Sequence, residues 1–177
     1  MNIYIVTEGQ FDALVLRAIL KFKKFEFKYE ILASSGYSAA LSKSKSLLIK
    51  GNSKIALILD SDSTNELEVN QRKSFVNTYI GDLPIKNSFK AIWLVPEFEI
   101  IFVNNIQFLR KLLPKEPAEE ILQIAKVSPK KTLESISRKK REDFLGLLKD
   151  PKVCKEFFKE TIFMELFDFL DNPVSGG

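Results

Sequence analysis

The stretch IALILDSD, residues 55–62, decides the fold class that the sequence predicts. Its first five residues form a continuous apolar run, which is typical of a central strand in a parallel sheet that is covered on both faces. Two aspartates, Asp60 and Asp62, follow this run at once. The stretch therefore predicts a buried strand that brings acidic side chains to one edge of a sheet.

Similar signals recur on both sides of this stretch. Apolar runs at residues 3–6 (IYIV), 27–33 and 89–95 (FKAIWLV) resemble strands. Apolar residues recur at helical spacing after the first two runs, and a further helix is predicted over about 65–80. This alternation predicts βαβ units with right-handed crossovers. We therefore expect an α/β fold with a mostly parallel, four-stranded, Rossmann-like sheet flanked by helices.

The strand signal fades beyond about residue 104, where prolines divide the chain into helix-like pieces that end near Leu170. A chain of 177 residues is long enough for one well-buried core and too short for two substantial ones. We therefore predict an α/β domain over residues 1–103 and a helical extension over 104–177 that packs on the same core. Asp150 and Pro151 resemble a helix start, and residues 172–177 are predicted to fray.

The extension also carries an apolar stripe, formed by Phe157, Phe158, Ile162, Leu166, Phe169 and Leu170. A stripe of this kind packs in a core or in a dimer far more often than it stacks nucleic-acid bases. A homodimer or a partner protein that binds through the C-terminal helices therefore remains open.

The composition excludes several kinds of chemistry. The chain has no histidine and one cysteine, so an imidazole base, a histidine-bound metal and a cysteine-rich zinc site are ruled out. Carboxylates, lysines and hydroxyls remain, together with a hard cation such as Mg²⁺ or Mn²⁺. No apolar run approaches the roughly 20 residues that cross a bilayer. Glu8 also interrupts the apolar stretch that a signal peptide would need near the start of the sequence. We expect a cytoplasmic protein without a membrane partner.

Acidic residues follow two of the predicted strands. Glu8 comes after the first strand, and Asp60 and Asp62 come after the third. Open parallel sheets bind ligands beyond the carboxyl ends of their strands, where these three side chains would meet. Carboxylates that converge repel one another unless a cation neutralises them. The positions therefore predict a site for a divalent metal ion.

The same residues also fit an alternative in which they only stabilise helix starts. Thr7 with Gln10, and Ser63 with Glu66, each form a capping-box pattern. Acids in the first turn of a helix also interact favourably with the helix dipole. Under this alternative the acids would lie apart and share no site.

The two motifs taken together resemble the Toprim domain, which is shared by topoisomerases, bacterial primases and the overcoming-lysogenization-defect (OLD) nucleases. EGQFD (residues 8–12) follows the first strand, the turn SGYS (35–38) comes next, and LILDSD (57–62) follows. The resemblance covers about residues 1–103. It implies that Glu8 acts as a general acid or base and that Asp60 and Asp62 hold Mg²⁺.

Two further segments resemble the OLD-like and small stand-alone Toprim proteins. PEFEIIF (residues 96–102) implies that Glu99, with Glu97 as a close rival, joins Asp12 as an additional metal ligand. One or two ions of Mg²⁺ or Mn²⁺ would then be held by five acids, which are Glu8, Asp12, Asp60, Asp62 and Glu99. A pair of ions suits phosphodiester hydrolysis. SPKKTL (128–133) implies that Lys131 stabilises charge on the phosphate. The resemblance implies a nuclease for DNA or RNA, with phage defence or a mobile element as its setting.

The remaining basic residues allow more than one interpretation. The net charge of +4 favours a polyanionic partner modestly. A basic segment near the C-terminus either forms a solvated face or tracks a nucleic-acid backbone, through Lys130, Arg138, Lys139, Lys140 and Arg141. Two alternatives to a nuclease therefore remain. One is a non-catalytic Toprim-like module that binds nucleic acid or a partner, and the other is a flavodoxin-like or phosphotransfer domain with the same strand-end acids.

Overall fold

Four strands form the sheet: β1 (Asn2–Thr7), β2 (Tyr29–Ala33), β3 (Ser53–Asp60) and β4 (Phe89–Leu94). In the computed structural model, which describes residues 1–81, 83 and 88–172, they pair in the order β2-β1-β3-β4. All three pairings are parallel. The predicted α/β class is confirmed, and the described sheet is parallel throughout rather than mostly parallel.

Helices cover both faces of this sheet. Their bounds are α1 (Gln10–Leu20), α2 (Tyr37–Ile49), α3 (Glu66–Gly81), α4 (Ile100–Asn104), α5 (Ile106–Leu112), α6 (Glu119–Val127), α7 (Pro129–Ser137), a 3-10 helix (Arg141–Lys149), α8 (Pro151–Phe157) and α9 (Thr161–Asp171). Helices α2 and α3 pack on one face, and α1 packs on the other together with the C-terminal helices. This arrangement is Rossmann-like, as expected when parallel strands are joined by right-handed crossovers.

Strand β3 is buried on both faces, which explains its uninterrupted apolar sequence. Ala56 and Ile58 pack on the α1 side, whereas Ile55, Leu57 and Leu59 pack on the side of α2 and α3. Burying one such Leu or Ile side chain contributes about 1.5–3 kcal/mol. The strand therefore anchors the sheet and fixes where Asp60, its last residue, emerges.

The C-terminal helices join the core on the α1 side through a group of aromatic rings. The centroid of the Phe102 ring lies 4.5 Å from that of Phe108, 5.6 Å from that of Phe144 and 6.0 Å from that of Phe157. One apolar cluster thus contains residues from both sides of position 103. Leu166, Phe169 and Leu170 of the predicted stripe are buried in it. A homodimer or partner contact through these helices stays a prediction.

The element boundaries differ slightly from those predicted. The second strand begins at Tyr29 rather than near residue 27, and the fourth ends at Leu94 rather than 95. The Asp150 cap is confirmed, since its Oδ1 accepts a hydrogen bond of 2.8 Å from the Lys152 backbone N–H. Of the segment predicted to fray, residues 173–177 lie outside the described residues. No helix in the described part is long and apolar enough to cross a membrane.

Candidate functional site

Backbone hydrogen bonds tie together the loops at the carboxyl edge of the sheet. The Gly36 N–H donates to the Glu8 carbonyl oxygen over 2.8 Å, and the Ser61 N–H donates to the Leu94 carbonyl oxygen over 2.9 Å. Gly36 has φ = 99°, a backbone conformation that strongly favours glycine. The loops after β1 and β2, and those after β3 and β4, are therefore held in fixed pairs.

Glu8 is directly bonded to the end of β3. Its Oε1 accepts a hydrogen bond of 2.8 Å from the Asp60 backbone N–H. Burial raises the pKa of Glu8, the bond from Asp60 lowers it, and the negative charges of Asp62 and Asp12 raise it further. The carboxylate of the first loop and the end of the third strand thus meet at one place, as the sequence predicted.

The start of α1 does not use the capping pattern that the sequence suggested. Gly9 occupies the cap position, and its N–H donates to Asp12 Oδ2 over 3.0 Å. Thr7 is still part of β1, and its hydroxyl donates to the Gly9 carbonyl oxygen. The predicted pairing of Thr7 with Gln10 is therefore wrong, because the strand extends through Thr7.

The start of α3 also differs from the capping prediction. Asn65 lies immediately before the helix, and its Oδ1 accepts a hydrogen bond of 2.9 Å from the Leu67 N–H. Ser63 instead accepts from the Asn65 N–H. The predicted pairing of Ser63 with Glu66 is wrong because Asn65 stands closer to the helix start. Neither Glu8 nor Asp60 contributes its side chain to the capping hydrogen bonds found at these two helix starts.

Asp60 lies in the most unfavourable environment of the predicted acids. Burial, followed by the negative charges of Asp12, Glu8 and Glu99, raises its pKa to about 9. Burial and the Glu99 charge raise the pKa of Asp12 to about 6, against the Gly9 N–H and the Arg141 charge. Among the described residues, neither Asp60 nor Asp12 forms an ion pair. The negative charge at this edge is therefore only partly compensated.

Glu99 is buried beside an arginine from a distant part of the chain. Its Oε1 accepts a hydrogen bond of 3.0 Å from Arg141 Nη1, and the Glu99 residue is only 2% exposed. Burial raises the pKa of Glu99 although the Arg141 bond opposes this. The Arg141 guanidinium also lies 4.7 Å from the centroid of the Phe11 ring. Arg141, predicted in a basic segment that either is solvated or tracks a nucleic-acid backbone, lines the cavity; its contact with nucleic acid stays a prediction.

These residues surround one open cavity of about 410 Å³. Its lining contains four of the five acids that the sequence analysis assigned to metal, and consists of Glu8, Gly9, Asp12, Ser34, Ser35, Gly36, Asp60, Glu97, Glu99, Lys130 and Arg141. A larger cavity of about 840 Å³ runs along β4 and contains none of these acids. The smaller cavity is the candidate site, because the acidic and basic side chains that could bind a ligand or take part in catalysis converge there.

Asp62 does not line this cavity. Its carboxylate is 57% exposed and forms an ion pair of 2.8 Å with Arg72. The backbone of Asp62 is in the left-handed region, with φ = 52°, where the chain turns away after β3. The paired aspartates therefore have different surroundings, with Asp60 half-buried in the cavity wall and Asp62 on the surface beside it.

The basic residues of the predicted phosphate and nucleic-acid sites divide in a similar way. Lys130 lines the cavity, and its backbone N–H donates to Glu97 Oε1 over 2.9 Å. Lys131, the predicted phosphate-stabilising residue, is exposed on α7 and does not line it. The exposed side chains between α7 and the 3-10 helix are Arg138, Lys139 and Lys140.

The donor set of the cavity fits a hard cation held by few protein ligands. Among the described residues, no group of three or more Asp, Glu, Cys or His side chains is placed to hold one metal ion. Mg²⁺, however, usually takes only one or two protein carboxylates and completes its shell with waters and phosphate oxygens. Glu8 and Asp60 line the cavity from the ends of the neighbouring strands β1 and β3. The buried Ser34 Oγ in the cavity wall also lacks a hydrogen-bond partner within the described structure.

The fold and the cavity define a class: an α/β protein with a parallel, Rossmann-like sheet and an acidic cavity at its carboxyl edge. Comparison with known proteins extends this no further, since no family model, no curated protein and no solved structure matches the chain.

Proposed function

We propose that this protein is a Mg²⁺- or Mn²⁺-dependent phosphodiesterase that cleaves DNA or RNA, with a Toprim-like site of the OLD type. The observation that carries the proposal is the convergence of Glu8, Asp12, Asp60 and Glu99, which lie at or just beyond the carboxyl ends of β1, β3 and β4, on one cavity. Burial and mutual repulsion raise the pKa of Asp60 to about 9, so that a cation would relieve an existing cost. A divalent ion bound there would neutralise phosphate charge and acidify a water molecule.

Glu8 is the residue best placed to move a proton. The Asp60 N–H holds its Oε1, which leaves Oε2 to bind a ligand or accept a proton. The raised pKa of Glu8 brings it closer to neutral pH, where a carboxylate exchanges protons most effectively. Asp60 would be the principal metal ligand, with Asp12 and Glu99 completing the negative field.

Cationic residues near the cavity would bind the polyanionic substrate. Lys130 and Arg141 belong to its lining, and the exposed run from Arg138 to Lys140 lies next to Arg141 in the chain. Phosphate contacts of this kind supply sequence-independent affinity that weakens as salt rises. The role of Lys131 would be limited to such contacts, because its side chain lies outside the cavity lining.

Nuclease assays test the proposal directly. The protein would be incubated with supercoiled plasmid and with RNA in Mg²⁺, in Mn²⁺ and in EDTA. Asp60→Asn removes the central carboxylate, and Asp168→Asn, at an exposed position on α9, serves as the matched control. We expect metal-dependent cleavage by the wild type and the control only. Equal cleavage by the Asp60→Asn protein, or no cleavage in any metal, would reject the proposal.

A second candidate is a non-catalytic module that binds nucleic acid or a partner. Its support is that Asp62 and Glu99 are already paired with Arg72 and Arg141, which reduces the need for metal. Binding to labelled DNA or RNA would then persist in EDTA and fall steeply with salt. Loss of binding on chelation would count against this module.

The third possibility, a flavodoxin-like or phosphotransfer domain, would have been favoured by a Glu8 that lies far from Asp60. The 2.8 Å hydrogen bond between the Glu8 carboxylate and the Asp60 N–H removes that support.

A further inference from the structure

Arg141 is a cation built into the acidic cavity. It begins the 3-10 helix and reaches Glu99, a residue 42 positions earlier, with an Nη1 to Oε1 distance of 3.0 Å. The Glu99 side chain is 3% exposed and the Arg141 side chain is 31% exposed. The Glu99 end of the ion pair is therefore shielded from water. Removing one partner of such a pair is strongly destabilising, because the other charge is left buried and unpaired.

Several contacts hold the guanidinium in place. It lies over the ring of Phe11, a buried residue of α1, with 4.7 Å between the guanidinium carbon and the ring centroid. The Arg141 backbone N–H donates to Glu134 Oε1, and Nε approaches Glu142 Oε1 at 3.4 Å. Arginine keeps its charge at every relevant pH and its planar group suits stacked, bidentate sites. The positive charge is therefore permanent and fixed in position.

The compensation from Arg141 reaches only one half of the cavity. Its charge lowers the pKa of Glu99 and of Asp12, against the effect of their burial. For Asp60 the charged groups with the largest effects are Asp12, Glu8, Glu99 and Asp62, and all of them raise the pKa. Within the described residues, neither Glu8 nor Asp60 takes part in a salt bridge. Arg141 therefore offsets part of the charge at Glu99 and Asp12. Arg72, which lowers the pKa of Glu8, has a smaller effect there than the neighbouring acids, and no described cation is among the largest influences on Asp60.

We propose that Arg141 takes the place of a second metal ion at Glu99 and Asp12, so that the cavity accepts one divalent cation, on Glu8 and Asp60. This inference rests on the proposed metal-dependent function. It reduces the expected number of bound ions from one or two to one. Paired metal ions in hydrolases lie about 3.5–4 Å apart and share carboxylates between them. A second ion would have to displace the guanidinium from Glu99, at the cost of separating a buried ion pair.

The number of bound ions tests the inference without any activity measurement. Native mass spectrometry and calorimetric titration with Mn²⁺ would count the ions on the full chain. We expect one ion per wild-type chain and one in Arg141→Lys, which keeps the charge. Arg141→Met keeps an apolar stem over Phe11 but removes the charge, so two ions are expected. The double variant Arg141→Met/Glu99→Gln should return to one.

Glu99→Gln tests the inference independently of whether the arginine variants fold. If Glu99 belongs to Arg141 rather than to a metal, this variant keeps the single ion of the wild type. Two ions on the wild type that fall to one in Glu99→Gln would overturn the inference while the proposed function stands. One ion on every variant, Arg141→Met included, would also overturn the role of Arg141. A wild-type chain that binds no Mn²⁺ would reject the proposed function together with the inference.

Discussion

Each end of β3 has a charged residue shielded from solvent, Lys54 fully and Asp60 in part, and the surroundings of the two charges are opposite. At the amino end, Lys54 is 1% exposed; its Nζ donates to the carbonyl oxygens of Leu170 and Asn172 and lies 4.7 Å from the centroid of the Phe169 ring. At the carboxyl end, Asp60 faces other carboxylates and no described cation pairs with it. A buried charge needs partners. The end at Lys54, where the charge has partners, is therefore structural. The end at Asp60, where no described cation pairs with the charge, is the candidate site for a ligand.

Glu160, a third charged residue that is partly buried, shows that burial alone does not define such a site. Burial raises the pKa of Glu160 to about 8, and its Oε1 has no hydrogen-bond partner among the described residues. No other charge contributes to the shift of Glu160, whereas four neighbouring acids contribute to that of Asp60. The convergence of several like charges, rather than one raised pKa, singles out the carboxyl edge.

The largest expected effect separates the two ends by activity. Asp60→Asn should reduce metal-dependent cleavage by at least about 100-fold, since even residues behind a metal ligand cost about 10- to 100-fold. Lys54→Met should leave the rate within about twofold below its unfolding temperature, because Lys54 lies at the opposite end of β3. Initial rates on plasmid or RNA with Mn²⁺ measure both. A comparable loss in the two variants would erase the distinction between a structural and a functional end.

The next effect concerns stability at the amino end. Lys54→Met removes the donor to the carbonyl oxygens at the end of α9, and leaving buried polar groups unsatisfied costs about 1–3 kcal/mol. The free energy of unfolding from urea titration should fall by that amount. Lys50→Met, at an exposed position after α2, is the control and should change little. Equal stabilities for the two variants would contradict the anchoring role of Lys54.

The carboxyl end should show the opposite sign of effect on stability. The folded-state pKa of Asp60, about 9, lies above its ordinary value of 3.8, so its contribution to stability is fully present below pH 3.8 and is lost as pH rises through about 9. In EDTA at pH 7, Asp60→Asn should raise the free energy of unfolding by at least about 1.4 kcal/mol, the equivalent of one pKa unit. The free energy of unfolding should also change less with pH for the variant between pH 5 and 9. A less stable variant in EDTA would contradict the repulsion.

The smallest effect is expected at Asp62, the exposed partner of Asp60 in the Asp-x-Asp motif. Its ion pair with Arg72 is accessible to solvent, and such pairs contribute about 0.2–1 kcal/mol. Arg72→Met should therefore lower the free energy of unfolding by no more than that, and added salt should reduce the difference. A loss as large as that of Lys54→Met would show that this surface pair is more than an exposed ion pair.

The fold and the centre of the site were predictable because they depend on local patterns. The apolar run at residues 55–59 identifies a buried strand, and parallel strands necessarily bring Glu8 and Asp60 to one edge. The caps of α1 and α3 were mispredicted because several neighbouring polar residues compete for a helix start, whereas the Asp150 cap of α8 was predicted correctly. Asn65 wins that competition at α3, and Gly9 takes the position at α1.

Other parts of the site could not be read from the sequence. The turn at Asp62 decides which aspartate faces the cavity, and the spacing Asp-x-Asp does not encode it. The pairing of Arg141 with Glu99 depends on how the C-terminal helices pack against α1, which is a tertiary contact without a local signal. Lys54 likewise acquires its role only because α9 ends above it.

A crystal structure of the protein grown with Mn²⁺, with anomalous data collected to locate the ion, tests the central claim most directly. The account predicts an anomalous peak in the cavity, bound by the Glu8 and Asp60 carboxylates, while Arg141 stays on Glu99. A cavity without a peak at saturating Mn²⁺, or ions bound only elsewhere on the surface, would contradict the claim that these acids are gathered to hold a divalent cation.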